Sequence, residues 1–332
     1  MSDAAEPGHR GQQPGHDRDQ DEERDQAVAE LSLGLRGIDD LFLVGRLRVS
    51  FVAGGGPRHT GDSSICGVWC HAPRMARVEL PGYGIVGIRA SNGGPLTLTG
   101  TNSWIVGEGP AWLVDPGPAL EDHLEALFAE LERRGGLAGI ALTHSHPDHA
   151  DAVAAVRSRY PAAPLAAAGG EPDVALADGR RFGPLTAIDT RGHSPDHVAF
   201  VTGRVGFTGD AVLGEGSVFI SPHPGAMAAY LDGLARLRRR ELAILCPGHG
   251  PLVRDAAAKL DQYIAHRLER ERRLLAALDA GKRSSGELLD DVWDDVPAPL
   301  RPAAAVTLAA HLDKLADEGR LPEGVERPRG WR

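Results

Sequence analysis

Basic residues, cysteines and long apolar runs are all scarce in this chain of 332 residues. Lysine and arginine number 36 against 46 aspartates and glutamates, a formal net charge of -10. A protein that grips duplex nucleic acid over a broad face does so with clustered cations, so that class is excluded and no duplex DNA partner is expected. No stretch approaches the roughly 18 uninterrupted apolar residues of a membrane span. The opening is charged and lacks the apolar centre of a secretory signal. Both absences point to a cytoplasmic protein without a membrane partner. The three cysteines, Cys66, Cys70 and Cys246, are too few for a disulfide framework, and CGVWC has one residue too many for the redox spacing. They read as ordinary thiols, with Cys246 a small buried filler.

What is present is 42% hydrophobic residues, enough for one large core and a smaller unit. Residues 1–26, rich in Gly, Pro, Gln and charge, cannot bury enough apolar surface to offset their ordering entropy and are expected to be disordered. From there to residue 74 the apolar runs keep no sustained period of 2 or 3.6. Residues 1–74 are therefore expected to be a poorly structured extension or the product of a misassigned start, with the folded protein beginning near Met75; a poorly patterned but real subdomain is the alternative.

Beyond Met75 the pattern sharpens. TNSWIVGEGPAWLVDPGP predicts two strands around a turn, ending at Asp115. ALEDHLEALFAELERRGG carries Leu120, Leu124, Leu127 and Leu131 at helical spacing before a Gly-Gly stop. LAGIALT reads as a buried strand, and a helix starting at Pro147 is expected to run through ADAVAAVRSRYP. Strands VAFVTG and RVGFTGD, the helix AMAAYLDGLARLRRR and the strand LAILCPG follow. Such grouping suits a layered α/β sandwich.

Into this frame residues 141–150, ALTHSHPDHA, set His144, His146, Asp148 and His149 at the end of an apolar run. Alternation puts His144 and His146 on one side of an extended segment. Downstream, His193 in RGHSPDH, Asp210 in FTGDAVLG and His249 in CPGHGP each stand where a strand meets a Gly- or Pro-flanked loop, the usual place for sites in α/β proteins. Imidazole suits zinc, carboxylate adds negative charge, and a set that leaves room for water suits hydrolysis. Asp115 reads as support for a ligand, with a turn-forming Asp-Pro-Gly as the plain alternative. His197 reads as orienting a ligand or lining the site, with plain loop structure as the equal alternative, and His71 as coincidence.

The order HxHxDH, GH, GD, PGHG resembles the metallo-β-lactamase superfamily of metallo-hydrolases. That resemblance implies an αββα sandwich binding two divalent metals, zinc first, with iron and manganese also compatible with the donor set. It implies that His144, His146 and His193 hold the first metal and that Asp148, His149 and His249 hold the second. Asp210 would bridge them, and Asp148 and Asp210 would serve catalysis by a metal-bridging hydroxide. Asp196 departs from the GHSPGH form common there. A cysteine ligand in place of Asp210 and an export signal, both marks of secreted β-lactamases, are missing. Only 38 residues lie between Asp210 and His249, too few for a nucleic-acid-processing insertion.

The tail discriminates further. RDAAAKLDQYIAHRLERERRLLAALDAG predicts one long helix with Leu260, Ile264, Leu268 and Leu275 on one side and Arg and Glu on a solvated face. SSGELLDDVWDDV and PAAAVTLAAHLDKLADEGRL predict two more, the latter with Leu308, Leu312 and Leu315 as an apolar stripe, followed by a short strand. With PGHGP, this resembles the β-lactamase-like protein 2 branch, which joins the metal fold to a winged-helix-like domain. The expected division is 75–280 for the hydrolase with its linking helix and 281–332 for the small helical domain. The branch implies phosphodiester cleavage of single-stranded RNA. Hydrolysis of a small-molecule thioester, ester or lactone, similar to glyoxalase II, is the alternative enzyme. A non-catalytic binding protein stapled by metal is the alternative outside enzymes. The C-terminal helices could equally cap the site or support a homodimer.

Overall fold

The computed structural model describes residues 77–221 and 223–328. The expectations for residues 1–74, including Cys66, Cys70 and His71, lie outside the described residues.

Two sheets face each other. The first runs in chain order: β1 (Arg77–Leu80), β2 (Ile85–Arg89), β3 (Asn102–Val106), β4 (Ala111–Val114), β5 (Leu137–Ala141), β6 (Leu165–Ala167) and β7 (Val174–Ala175). Pairing is antiparallel as far as β4 and parallel from β4 to β7. The second sheet has the order β12-β11-β10-β9-β8, from β8 (Arg181–Phe182), β9 (Leu185–Asp189), β10 (Val198–Thr202), β11 (Val205–Gly209) and β12 (Ile244–Pro247). Here only β11 and β12 run parallel.

Period-2 alternation assigns each strand residue to a layer. On β3 and β11, Trp104, Val106, Val205 and Phe207 turn inward and meet Val114, Phe200 and Cys246 between the sheets. Ile105 and Leu113 turn outward against Leu127 and Leu131 of α1 (Glu121–Arg133) and Val156 of α3 (Val153–Arg159). On the far side, Ile188, Ala199 and Leu245 meet Tyr230, Leu234 and Leu237 of α4 (Ala226–Arg238) and Leu260 and Tyr263 of α5 (Ala256–Asp279). The layers are therefore helix, sheet, sheet, helix, as the pattern predicted. Among the described residues no helix is long and apolar enough to cross a membrane.

Three expectations need correction. The helix starting at Pro147 is broken into α2 (Pro147–Ala150) and α3, because the loop between β4 and α1 intercepts its backbone: Gly117 N–H donates to the His149 carbonyl at 2.9 Å and the Gly117 carbonyl accepts from Ala152 N–H at 3.0 Å. On α5, Leu268 is 51% exposed. The buried stripe is displaced by one position to Leu260, Tyr263, Arg267, Arg270, Glu271, Leu274 and Leu278, so the Arg/Glu segment is not simply a solvated face. The charges there are paired: Arg270 bonds both oxygens of Asp295 at 2.6 and 2.7 Å, and Glu271 meets Lys314 at 2.8 Å and Arg320 at 3.1 Å. Third, no strand follows α7 (Arg301–Asp317) among the described residues, where Glu326 N–H instead bonds the Arg283 carbonyl.

The far half of α5 supplies Leu274 and Leu278 to a separate core with Leu288 and Val292 of α6 (Ser285–Val292), Trp293, and Leu308, Leu312 and Leu315 of α7. A capping box between Ser284 and Glu287 starts α6.

A buried ion cluster anchors α1. Glu130 accepts from Arg134 at 2.7 Å, Arg133 at 2.6 and 3.0 Å and Arg77 at 3.1 Å, while Arg134 also caps the carbonyls of Gly84 and Gly107. Hydrogen bonds from Arg133, opposed by burial and joined by those from Arg134 and Arg77, hold the Glu130 carboxyl at about 2. A folded value below the ordinary 4.5 means stability that is complete above that pH and lost as pH falls toward 2. Glu130→Gln is expected to cost about 2 kcal/mol at pH 7 by leaving the buried Arg134 with only the distant Glu108 carboxylate, at 3.9 Å, as counter-charge. The gap from the parent protein in urea unfolding should narrow by pH 3, and an unchanged gap would contradict the assignment.

Candidate metal centre

Parallel pairing concentrates the chemistry at one edge. Because β4 and β5 share a direction, Asp115 and His144 leave the first sheet at the same end. β11 and β12 do the same for Asp210 and His249 in the second sheet. His193 follows β9, and His146, Asp148 and His149 come from the turn into α2.

All seven predicted donors meet there. Nδ1 of His146 lies 3.0 Å from Nε2 of His144 and 3.0 Å from Nε2 of His193. In a second group His149 and His249 bring their Nε2 atoms to 3.2 Å, with Asp148 Oδ2 at 3.1 Å from His249 and 3.6 Å from His149. Asp210 faces both groups: Oδ1 is 3.4 Å from His149 and 3.4 Å from His249, and Oδ2 is 3.6 Å from His193. His144, His149, His193, His249 and Asp210 are buried, while Asp148 keeps 27% of its side chain exposed.

Proton placement explains why these nitrogens face one another. His193 Nδ1 donates to the Phe219 carbonyl at 3.1 Å, which leaves a lone pair on Nε2. Thr143 Oγ1 donates to Asp115 Oδ2 at 2.8 Å and so accepts from His144 Nδ1 at 3.0 Å. His149 Nδ1 meets the same Asp115 oxygen at 3.0 Å. The Nε2 lone pairs of His144 and His193 thus turn toward the cluster, beside a carboxylate whose Oδ1 has no hydrogen-bond partner. Imidazoles sharing one tetrahedral zinc at 2.0–2.1 Å stand about 3.3 Å apart. The observed nitrogen separations and the orphaned oxygen fit cations on either side of Asp210.

Electrostatics divide the two groups. Burial pushes His193 down to about 4 and His144 well below its ordinary value, so these rings are neutral. Around the carboxylates the balance reverses. Burial opposes charge on His249, but Asp210 and Asp148 raise it to about 9, and Asp210 and Asp115 hold the His149 proton in the same way. Asp210, despite burial, is kept well below the usual carboxylate range by His249 and His149.

Neighbouring residues fix these positions. Asp115 adopts φ 51°, a costly conformation for a non-glycine residue, and its Oδ1 accepts Thr143 N–H at 2.7 Å. His197 stands outside the groups: its Nε2 accepts Asp210 N–H at 3.0 Å and its Nδ1 meets Thr190 Oγ1 at 2.8 Å, which orients Asp210. Asp196 accepts from Ser194 Oγ at 2.7 Å. Cys246 is buried between the sheets. Asn102 clamps the PGHG loop through the carbonyls of Pro247 and Gly250, at 3.1 and 2.9 Å. Sequence reasoning missed Thr143, Thr190, Asn102 and the Phe219 carbonyl. A polar residue directly beside a ligand was the available signal for Thr143, whereas a backbone carbonyl carries none.

Comparison with known proteins agrees with this architecture. The profile described as "Metallo-beta-lactamase superfamily" matches residues 96–175 and 167–249, and that of the "Beta-lactamase associated winged helix domain" matches 284–331. The chain is 31% identical to an atrochrysone carboxyl ACP thioesterase of Aspergillus chevalieri over 73% of its own length and 85% of the relative's. It is 30% identical to a β-lactamase-like protein 2 homolog of Caenorhabditis elegans over 70% and 84%. In fold it resembles a β-lactamase domain protein of Burkholderia ambifaria, with a TM-score of 0.61 at 21% identity over 76% of this chain and 92% of that one.

Gly248 tests how tightly the centre is built. A Cβ there would come within 2.6 Å of His149 Cε1 and 2.7 Å of Asp210 Oδ1. Gly248→Ala is expected to keep its circular dichroism spectrum yet bind metal at least tenfold more weakly. Full metal content would show that the glycine is not needed for close approach.

Proposed function

Because the chain belongs to the metallo-beta-lactamase superfamily, we propose that it is a two-metal hydrolase of thioesters or similarly activated carbonyl esters of small or carrier-borne acyl groups. The convergence of six donors around the buried Asp210 carboxylate carries the reading. His144, His146 and His193 hold one cation, Asp148, His149 and His249 the other, and Asp210 lies between them. Zinc is the first choice, with iron or manganese admissible for a histidine-carboxylate set. Such a pair, when bound, supplies a hydroxide nucleophile at neutral pH and a Lewis acid for the substrate oxygen.

The protein's own groups favour a good leaving group. Asp210 is held ionised, so it is no acid for expelling a strongly basic alkoxide, whereas a thiolate, with a parent thiol pKa of about 8.5, departs with little help. Asp148 is the most open carboxylate in the cluster, and its position lets it exchange a proton between the centre and solvent. Asp115 and Thr143 keep His144 and His149 oriented, and the name of the fungal thioesterase relative supports the substrate class.

Cleavage of single-stranded RNA, the expectation attached to the β-lactamase-like protein 2 branch, finds less support in the tail. Arg267 and Arg270 are buried, and exposed Arg272 is tied to Glu269 at 2.6 and 2.7 Å, so the helix offers no row of free cations to a phosphate backbone. The deciding assay sets an acyl thioester panel and a lactone beside a labelled single-stranded RNA, each with and without chelator. Thioester turnover that the chelator abolishes, and that Asp210→Ala reduces to background with the fold intact, is expected. RNA cleavage with inert thioesters, or full turnover in Asp210→Ala, would sink the proposal.

A further inference from the structure

Between Asp210 and α4 the chain runs through residues 211–221, a strap without regular structure. Helices outside the sheets grip it along its length. Tyr230 OH on α4 donates to the Ala211 carbonyl at 2.7 Å. Tyr263 OH on α5 accepts Leu213 N–H at 3.1 Å and donates to the Gly216 carbonyl at 3.0 Å. One turn later on α5, Arg267 donates to Ser217 Oγ at 3.1 Å and to the Val218 carbonyl, its guanidinium lying over the Tyr230 ring at 5.4 Å. From α7, Thr307 Oγ1 accepts Ile220 N–H at 3.3 Å while donating to the Ala303 carbonyl of its own helix at 3.2 Å. Ser221 N–H then bonds the Gly192 carbonyl at 3.0 Å.

Phe219 sits between the Arg267 and Thr307 contacts, and its carbonyl is the one that accepts His193 Nδ1. That bond decides which ring nitrogen of His193 carries the proton and where the other points. An arginine and a threonine on helices remote from the donor motifs therefore hold the residues on either side of a ligand's partner. Arg267 and Thr307 are both buried, and a charge is not retained at such a position for solubility.

We propose that Arg267 and Thr307 are positioning residues for His193, through which the C-terminal helices set the metal affinity of the half of the centre that contains it. The inference rests on the two-cation reading above. It assigns the tail a role in building the centre rather than in gripping a nucleic acid.

Zn2+ titration of the full chain against a chromophoric chelator tests it. The unaltered protein should show two binding steps, of which His193→Ala removes one and His249→Ala the other. Thr307→Val, which leaves Ile220 N–H unpaired, should weaken only the step missing from His193→Ala, by about tenfold, and Thr307→Ser should restore it. Arg267→Lys, which keeps the charge but shortens the reach of the one nitrogen that serves both Ser217 and Val218, should weaken the same step. Leu288→Ala, in the core formed by α6 and α7, should lower thermal stability and leave both steps intact. Unchanged steps in Thr307→Val and Arg267→Lys, equal weakening of both steps, or the same loss in Leu288→Ala would overturn the positioning role while leaving the two-cation reading standing. Fewer than two steps in the unaltered protein would overturn both.

Discussion

Everything at the sheet edge answers to one buried carboxylate. Asp210 is 7% exposed and ionised, and a desolvated charge is tolerated only when compensated. Without cations the compensation comes from protons held on His149 and His249. With two divalent cations it comes from the metals, and the rings revert to neutral ligands.

Fold topology makes that concentration feasible. Each sheet contributes one parallel pair whose strands end at the same rim, so donors far apart in the chain arrive together without long loops. Glycine beside Asp210 and beside His249 lets backbone approach the rings. A Cβ at Gly209 would meet Thr143 Oγ1 at 2.5 Å and His197 Nε2 at 2.8 Å, so bulk there is as disruptive as at Gly248. The outer helices then act on the rim through the strap after Asp210, joining the C-terminal core to the chemistry.

Much of this was legible in the sequence. The seven donors are side chains of unusual type in short Gly- or Pro-bounded motifs, and the αββα layering followed from strand and helix periods. Residues that act through backbone groups were hidden: the Phe219 carbonyl and the bonds of Gly117 that break the helix at α2 have no side-chain signature. The face of α5 was misplaced because hydrophobicity ranks Leu268 above Arg267 and Glu271. Burial is decided instead by available partners, here Val218, Lys314 and Arg320. The wing strand failed for the opposite reason, since composition permits it but no described neighbour pairs with it.

The central claim is that two cations flank Asp210. Anomalous diffraction from crystals of the protein purified without chelator, recorded above and below the metal's absorption edge, tests it most directly. The account predicts two peaks, one among His144, His146 and His193 and one among Asp148, His149 and His249. A single peak, or peaks remote from Asp210 in metal-replete crystals, would contradict it.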